Sequence, residues 1–259
     1  MPLFDSRVTA NREIARDYLQ MDLEWPADAP APEPGQFLTL RAGSGPAPLL
    51  RRPFGICAFS EAVGPTASLI YWRRGPATRL LAGLEPGDQI DVLAPLGVGF
   101  PDPPEGAVPV LVAGGVGVGP LLYLANHLAQ LGSSPIMLLG ARTNAYLPSL
   151  ELDTAVQLRL ATDDGSHGFH GTVIELLRRT IPVTGGAIEL YLCGPDRMLA
   201  SGHAVAQEYG IPAWVSMEQT MGCAVGACMG CAVRVHTRER YARVCTEGPV
   251  FRSTEIVWP

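Results

Sequence analysis

Met221-Gly222-Cys223-Ala224-Val225-Gly226-Ala227-Cys228-Met229-Gly230-Cys231, with Cys245 beyond it, holds four of the chain's six cysteines in the spacing C-x4-C-x2-C-x13-C. That is close to the spacing by which a loop wraps a [2Fe–2S] cluster and a distant fourth thiolate closes it. A four-residue gap followed by a two-residue gap needs a chain that folds tightly back around a compact inorganic core. Gly222, Gly226 and Gly230 allow positive φ and close backbone approach. Ala224 and Ala227 leave room for backbone N–H groups to face the sulfurs, one of the levers on a cluster's reduction potential. A structural zinc would show two C-x2-C knuckles, and only Cys228 and Cys231 form one. A disulfide framework suits a small secreted domain better than a chain of 259 residues. The four cysteines therefore read first as cluster ligands.

Outward from that loop, composition sets limits. The chain is 47 % apolar and 17 % charged, with a net charge of −6 and a pI near 5.4. No basic stripe points to nucleic acid, and an anionic membrane surface would repel it. The length fits one large domain or two with an appendage, and Pro 24 with Gly 29 implies short elements and many turns. The first residues, Met1 to Arg7, lack the apolar core of a secretion signal. Residues 106–141 carry no Asp, Glu, Lys or Arg, and 107–125 is long enough to span a bilayer. Gly114, Gly115, Gly117, Gly119 and Pro120 break it at its middle, where lipid would strand backbone groups. A strand, loop and helix inside a water-exposed fold is expected instead. Cluster-type cysteines without a disulfide pattern suggest the reducing cytoplasm.

In chain order, residues 1–104 read as short strands between turns: Val8–Ala10, Tyr18–Leu23, Gln36–Leu40, Ala67–Trp72 and Gln89–Leu93. A proline-rich connection runs from Pro26 to Gly35, and a short helix is possible at Thr78–Leu84. Strands this short suit an antiparallel β-barrel. Residues 105–215 read as an α/β domain with a parallel sheet. Val108–Ala113 is a strand buried on both faces; it opens into Gly114-Gly115-Val116-Gly117-Val118-Gly119-Pro120, then a helix from Leu121 to Leu131. Strands at Ile136–Leu139, Leu158–Ala161 and Ala187–Leu192 follow, with helices at Val173–Thr180 and Asp196–Tyr209. Pro195 suits a helix start and Asp196 a cap. Residues 216–259 form a third, small cysteine-loop domain.

Four stretches carry chemistry. Arg51 and Arg52, beside Pro53, can hold a pyrophosphate in a fork, although the same residues fit a solvated basic turn. Ile70, Tyr71 and Trp72 can cover a flat ring ahead of Arg73–Thr78, and equally fit an edge strand and its cap. The glycine-rich turn after Ala113 lies where open α/β sheets take nucleotide phosphates, yet Pro120 replaces the last glycine of G-x-G-x-x-G. Cys193-Gly194-Pro195 sits at another strand end, where a small buried thiol is the plain alternative, and Thr162–Ser166 is a polar turn in a similar place. Cys57 has no assigned role, and the five histidines show no ligand spacing that competes with the thiolates.

Barrel, nucleotide sheet and terminal cysteine loop, in that order, resemble the ferredoxin–NADP reductase superfamily. Within it the chain resembles the electron-transfer subunits of two-subunit, NAD-linked dihydroorotate dehydrogenases, most closely over Glu218–Cys231 and Tyr241–Phe251. The resemblance implies FAD in the barrel, NAD on the second domain and a [2Fe–2S] cluster on Cys223, Cys228, Cys231 and Cys245. It places Arg52, Pro53, Phe54 and Gly55 on a flavin motif that usually reads Arg-Pro-x-Ser, so Gly55 departs from it. Ile70, Tyr71 and Trp72 would line the flavin, and Ala77 and Thr78 match a Gly-Thr pair that receives its pyrophosphate. Gly114, Gly115, Gly117, Gly119, Pro120, Cys193, Gly194 and Pro195 would serve NAD. It further implies an FMN-containing dihydroorotate dehydrogenase partner in a two-plus-two heterotetramer of pyrimidine biosynthesis. No acid–base residue is implied in this chain. A ferredoxin- or sulfide-linked NAD(P) oxidoreductase subunit, or a zinc-stabilised nucleotide-binding module, are the alternatives. Arg142 is a candidate for a 2′-phosphate, or a surface arginine, so NAD is chosen over NADP on the resemblance.

Overall fold

The computed structural model describes residues 2–43, 45, 48–62 and 64–258; Met1 and Pro259, the ends of the expected domain division, lie outside it. The first part holds β1 (Leu3–Ala15), β2 (Tyr18–Glu24), β3 (Phe37–Leu40), β4 (Arg52–Ser60), β5 (Thr66–Trp72), α1 (Pro76–Ala82) and β6 (Gln89–Leu96). Period-two burial drives its closure. Along β6, Ile90, Val92, Ala94 and Leu96 point inward and the residues between them do not. The six strands close as β1-β2-β5-β4-β3-β6, around Val8, Met21, Leu23, Leu38, Leu40, Ile56 and Leu69.

β4 exceeds the sequence expectation of an extended segment, since it is a full strand. Its first residues pair only with β3, Pro53 opposite Thr39 and Gly55 opposite Phe37. Pairing with β5 begins at Ile56. The edge from Arg52 to Gly55 is thus open on one side, and there a proline costs no ladder bond. α1 begins two residues before the expected Thr78, because Pro76 occupies the first turn. Thr78 Oγ1 accepts from the N–H groups of Arg74 and Gly75, both at 3.0 Å.

The second part is built from β7 (Val108–Gly114), α2 (Val118–Gln130), β8 (Ile136–Ala141), β9 (Gln157–Thr162), β10 (Phe169–His170), α3 (Val173–Thr180), β11 (Ile188–Cys193), α4 (Asp196–Tyr209) and β12 (Ala213–Ser216). These strands are parallel in the order β10-β9-β8-β7-β11-β12. Chain order reverses between β7 and β11, so the crevice of the sheet opens at their carboxyl ends. Side chains alternate across the sheet. Val110, Val112, Leu190 and Leu192 meet Leu177, Leu199 and Val205 of α3 and α4. Leu111, Ala113 and Tyr191 meet Val118, Leu121 and Leu122 of α2.

α2 is wedged between the sheet and the barrel. Ideal Cβ atoms on Gly55 and Gly119 would touch Pro120 and Cys57 respectively. A helix covered on two sides has little face left for charge, and with the buried strands β7 and β8 on either side of it in sequence this accounts for the uncharged run from 106 to 141. Each fully buried leucine on it contributes about 1.5–3 kcal/mol over exposure. Among the described residues, no helix is long and apolar enough to cross a membrane. The start of α4 corrects one expectation: Pro195, extended at φ −60 and ψ 144, is the cap residue, and Asp196 sits in the first turn without a capping bond.

The cysteine segment adds the hairpin β13 (Ala232–Arg234) and β14 (Tyr241–Arg243), then β15 (Val250–Arg252). β15 joins the main sheet antiparallel to β12, Val215 opposite Phe251. The segment 216–259 thus leaves the large sheet at the end of β12 and pairs with it again through β15.

Candidate functional site

A cavity of about 750 Å³ lies where barrel, sheet and cysteine segment meet. Its barrel wall is the open edge of β4 (Arg52, Pro53, Phe54, Gly55), the end of β5 (Ile70, Tyr71, Trp72), and Ala77 and Thr78 of α1. Its sheet wall is Gly114 at the end of β7 with Gly115, Gly117 and Pro120 beyond it, and Cys193 at the end of β11 with Gly194 and Pro195 beyond it. The two sheet loops touch. A Cβ on Gly117 would sit 2.3 Å from the Cys193 carbonyl oxygen, and one on Gly114 would sit 2.5 Å from Met198 Sδ. Of the residues read from sequence as cofactor-binding, Gly119 alone stands apart. It lies inside α2, 3.5 Å from Cys57 Cβ by its ideal Cβ.

The two arginines of the expected fork part ways: Arg52 lines this cavity, and Arg51 borders an adjoining one together with Arg52 and Thr78. Arg51 turns to Asp91, Nη2 to Oδ1 at 2.5 Å, while Arg52 reaches the cavity and donates to the Leu50 carbonyl. Aromatic packing shapes the floor: Tyr18 stacks on Trp72 with centroids 6.0 Å apart, and Phe54 meets Tyr71 edge-on at 5.9 Å. Tyr71 Oη donates to Asn11 Oδ1 at 2.9 Å, and Asn11 Nδ2 donates to the Leu81 and Leu84 carbonyls at 2.9 and 3.0 Å. Burial pushes the Tyr71 phenol up to about 12, so it stays a neutral donor. Burial likewise pushes the Cys193 thiol up to about 12, opposed by Ser216, which leaves a small apolar group at neutral pH. Glu218, also at the cavity wall, has its carboxyl raised by desolvation and then by Asp196.

Beyond Met221, which lines the cavity, the chain runs directly into the cysteines. Ala224, Gly226 and Met229 hold φ of 61°, 80° and 57°, so the loop winds through the left-handed region. Gly222 and Gly230 are needed for space instead: their ideal Cβ atoms would sit 3.2 and 3.4 Å from Cys228 Sγ. Backbone N–H groups point at sulfur, Val225 to Cys223 at 3.4 Å, Gly226 to Cys245 at 3.2 Å and Gly230 to Cys228 at 3.4 Å. All four thiols are free; Cys231 and Cys245 are buried, Cys223 is half-buried and Cys228 is exposed. The Val225 N–H chiefly holds the Cys223 thiol down, to about 7, and burial pushes Cys245 up to about 11. Thr246 Oγ1, next in sequence to Cys245, is buried without a hydrogen-bond partner. Free thiols and backbone amides that favour thiolate fit an iron–sulfur group.

Residues 218–257 match the family described as the iron-sulfur cluster binding domain of dihydroorotate dehydrogenase B. The dihydroorotate dehydrogenase B (NAD(+)) electron transfer subunit of Desulforamulus reducens is 37 % identical over 260 residues, 99 % of this chain and 98 % of that one. Its counterpart from Geobacillus thermodenitrificans is 39 % identical over 256 residues, 96 % of each chain. The chain belongs to the dihydroorotate dehydrogenase B electron transfer subunits.

The three-part architecture is shared more widely. The structure of an NADH-dependent reduced ferredoxin-NADP oxidoreductase, solved to study flavin-based electron bifurcation, superposes with a TM-score of 0.86 and 28 % identity, over 98 % of this chain and 90 % of that one. Further residues line the cavity beyond those assigned a cofactor role from sequence. Tyr18, Arg74, Gly75 and Pro76 complete the barrel wall, while Ser216, Met217, Glu218, Gln219 and Pro249 form a third wall. Ser216 ends β12 and Met217 to Gln219 follow it, the place where an open sheet of this strand order offers a ligand crevice. Arg142, the 2′-phosphate candidate, lies 4.7 Å over the Tyr146 ring.

Proposed function

We propose that this chain relays electrons from a dihydroorotate-oxidising partner subunit to NAD+, in pyrimidine biosynthesis, using FAD and a [2Fe–2S] cluster. One observation carries the reading: a single cavity joins the open β4 edge, the switch-point loops of the sheet and the segment that leads into Cys223. When bound, a cluster moves single electrons, a flavin interconverts one- and two-electron transfer, and a nicotinamide takes a hydride. The protein supplies placement. Arg52 and Thr78 flank the phosphates, Tyr71 and Trp72 bound the ring, and the Gly114–Gly117 turn with Cys193–Pro195 receives the nicotinamide nucleotide. Cys223, Cys228, Cys231 and Cys245 hold the metal group. Cys193 serves by being small and apolar, and no side chain need act as acid or base.

The partner we infer is an FMN-containing catalytic subunit, assembled two plus two with this chain. Exposed Cys228, with Val225, Met229 and Tyr241 also exposed, marks the face through which electrons enter. Free thiols on all six cysteines support a cytoplasmic site. The test is spectroscopic, then kinetic. Anaerobically purified chain is expected to show flavin bands and a red absorption tail bleached by dithionite. With the catalytic subunit it passes electrons from dihydroorotate to NAD+, and alone it does not oxidise dihydroorotate. A colourless, zinc-containing protein, or dihydroorotate oxidation by the single chain, overturns the reading.

A further inference from the structure

An ion pair brackets the last cysteine. Arg243 closes β14, and Glu247 lies four residues on, across Cys245. Arg243 Nε donates to both Glu247 carboxylate oxygens at 3.0 Å, Nη2 pairs with Oε1, and the Arg243 backbone N–H donates to Oε2 at 2.6 Å. The remaining nitrogen, Nη1, donates to the Gly226 carbonyl at 2.9 Å. Gly226 in turn donates its N–H to Cys245 Sγ at 3.2 Å. One residue of the loop is thus held on its carbonyl by the guanidinium and on its amide by a ligand sulfur. That residue has no latitude for a side chain. Its φ is +80°, and a Cβ would lie 2.9 Å from Thr246 Cγ2 and 3.2 Å from Arg243 Nη1.

We propose that Arg243 is a positioning residue for the group on the four cysteines: it locks the Gly226 turn onto Cys245 and, balanced by Glu247, sets the potential at which that group accepts an electron. Reduction adds one negative charge at the cysteines. A fixed cation nearby favours the reduced state and a fixed anion opposes it, and hydrogen bonds at the sulfurs act in the same sense. Both side chains are more than a third exposed, so water and salt reduce the effect without changing its sign. A surface ion pair with a purely structural part would leave the potential where it was.

The inference rests on the reading of Cys223, Cys228, Cys231 and Cys245 as [2Fe–2S] ligands, and its test separates the two. Wild type, Arg243→Gln, Arg243→Lys and Glu247→Gln are purified with cofactors, iron and acid-labile sulfide are counted, and the cluster is titrated against potential by electron paramagnetic resonance. Glu247→Gln is expected to raise the midpoint and Arg243→Gln to lower it, with Arg243→Lys near wild type. At a fixed potential the reduced-to-oxidised ratio should move by about threefold to tenfold in each direction, tenfold being about 59 mV for one electron. If Arg243→Gln loads no iron, the locking role stands and Glu247→Gln alone decides the charge role. Loaded variants whose ratios stay within a factor of about 1.5 of wild type, or move in the same direction, overturn the inference. An iron-free wild type would instead sink the cluster reading itself.

Discussion

Gly55→Ala tests how the barrel meets α2. The new methyl carbon would sit 2.4 Å from Pro120 Cγ and 3.1 Å from its Cδ, against about 3.4 Å or more for ordinary contact. A proline ring cannot rotate aside, so the first turn of α2 must retreat from β4 by about 1 Å. Overpacking of this kind costs about 1–3 kcal/mol. At about 2–4 °C per kcal/mol for a chain near this size, Tm should fall by roughly 2–12 °C. Pro120→Ala removes the obstacle at a cost of about 0.4–1 kcal/mol, through the freer unfolded chain. The double variant should then lose less than the sum of the two, by about 1 kcal/mol or more. Thermal unfolding of the FAD-loaded protein gives the four midpoints, and flavin fluorescence gives FAD affinity, which should weaken in Gly55→Ala because both residues line the cavity. Additive midpoints, or a Gly55→Ala protein as stable as wild type, would refute the packing account.

Other expectations come from single contacts. Cys228→Ser, at an exposed ligand, should lose iron and the dihydroorotate-to-NAD+ relay yet keep FAD and NADH oxidation by an artificial acceptor; simultaneous loss of FAD contradicts separate sites. Tyr71→Phe leaves Asn11 Oδ1 without its donor, at about 1–3 kcal/mol if the acceptor stays buried, and an unchanged Tm counts against the network. His203, bonded to Ser253 and stacked on Trp258, is held below its usual pKa by burial and then by His236. Its neutral form is the folded one, so its stabilisation is complete above the unfolded value of 6.5 and is lost as pH falls from there through the lower folded value. The drop of Tm below that pH should be shallower in His203→Gln, and an identical slope rules His203 out.

Much of this was legible along the chain because it is local. The bounds of α3 and α4 follow from nearby signals: Thr172 and Glu175 cap one start reciprocally, and Gly210 ends the other helix at φ +64°. The cysteine spacing marked four candidate ligands, but their unequal exposure was not readable from it. Positive φ also fell on Ala224 and Met229 rather than on Gly222 and Gly230, since glycine there answers to crowding by sulfur. β4 was missed as a strand because Pro53 and Gly55 are poor strand formers, and only pairing with distant β3 makes one. Arg51 and Arg52 look alike in sequence, and Asp91, forty residues on, separates them. Of the cavity's third wall, Glu218, Gln219 and Pro249 fall in the stretches that carry the resemblance, while Ser216 and Met217 are placed there by strand order.

The sandwiched α2 has one more consequence. A cut at residue 104 would not yield two working halves, since one would carry into water the helix face that Gly55, Cys57 and Ile70 now cover, and the other would lose the lid over its flavin edge. Barrel and sheet must therefore be inherited, exchanged or engineered together.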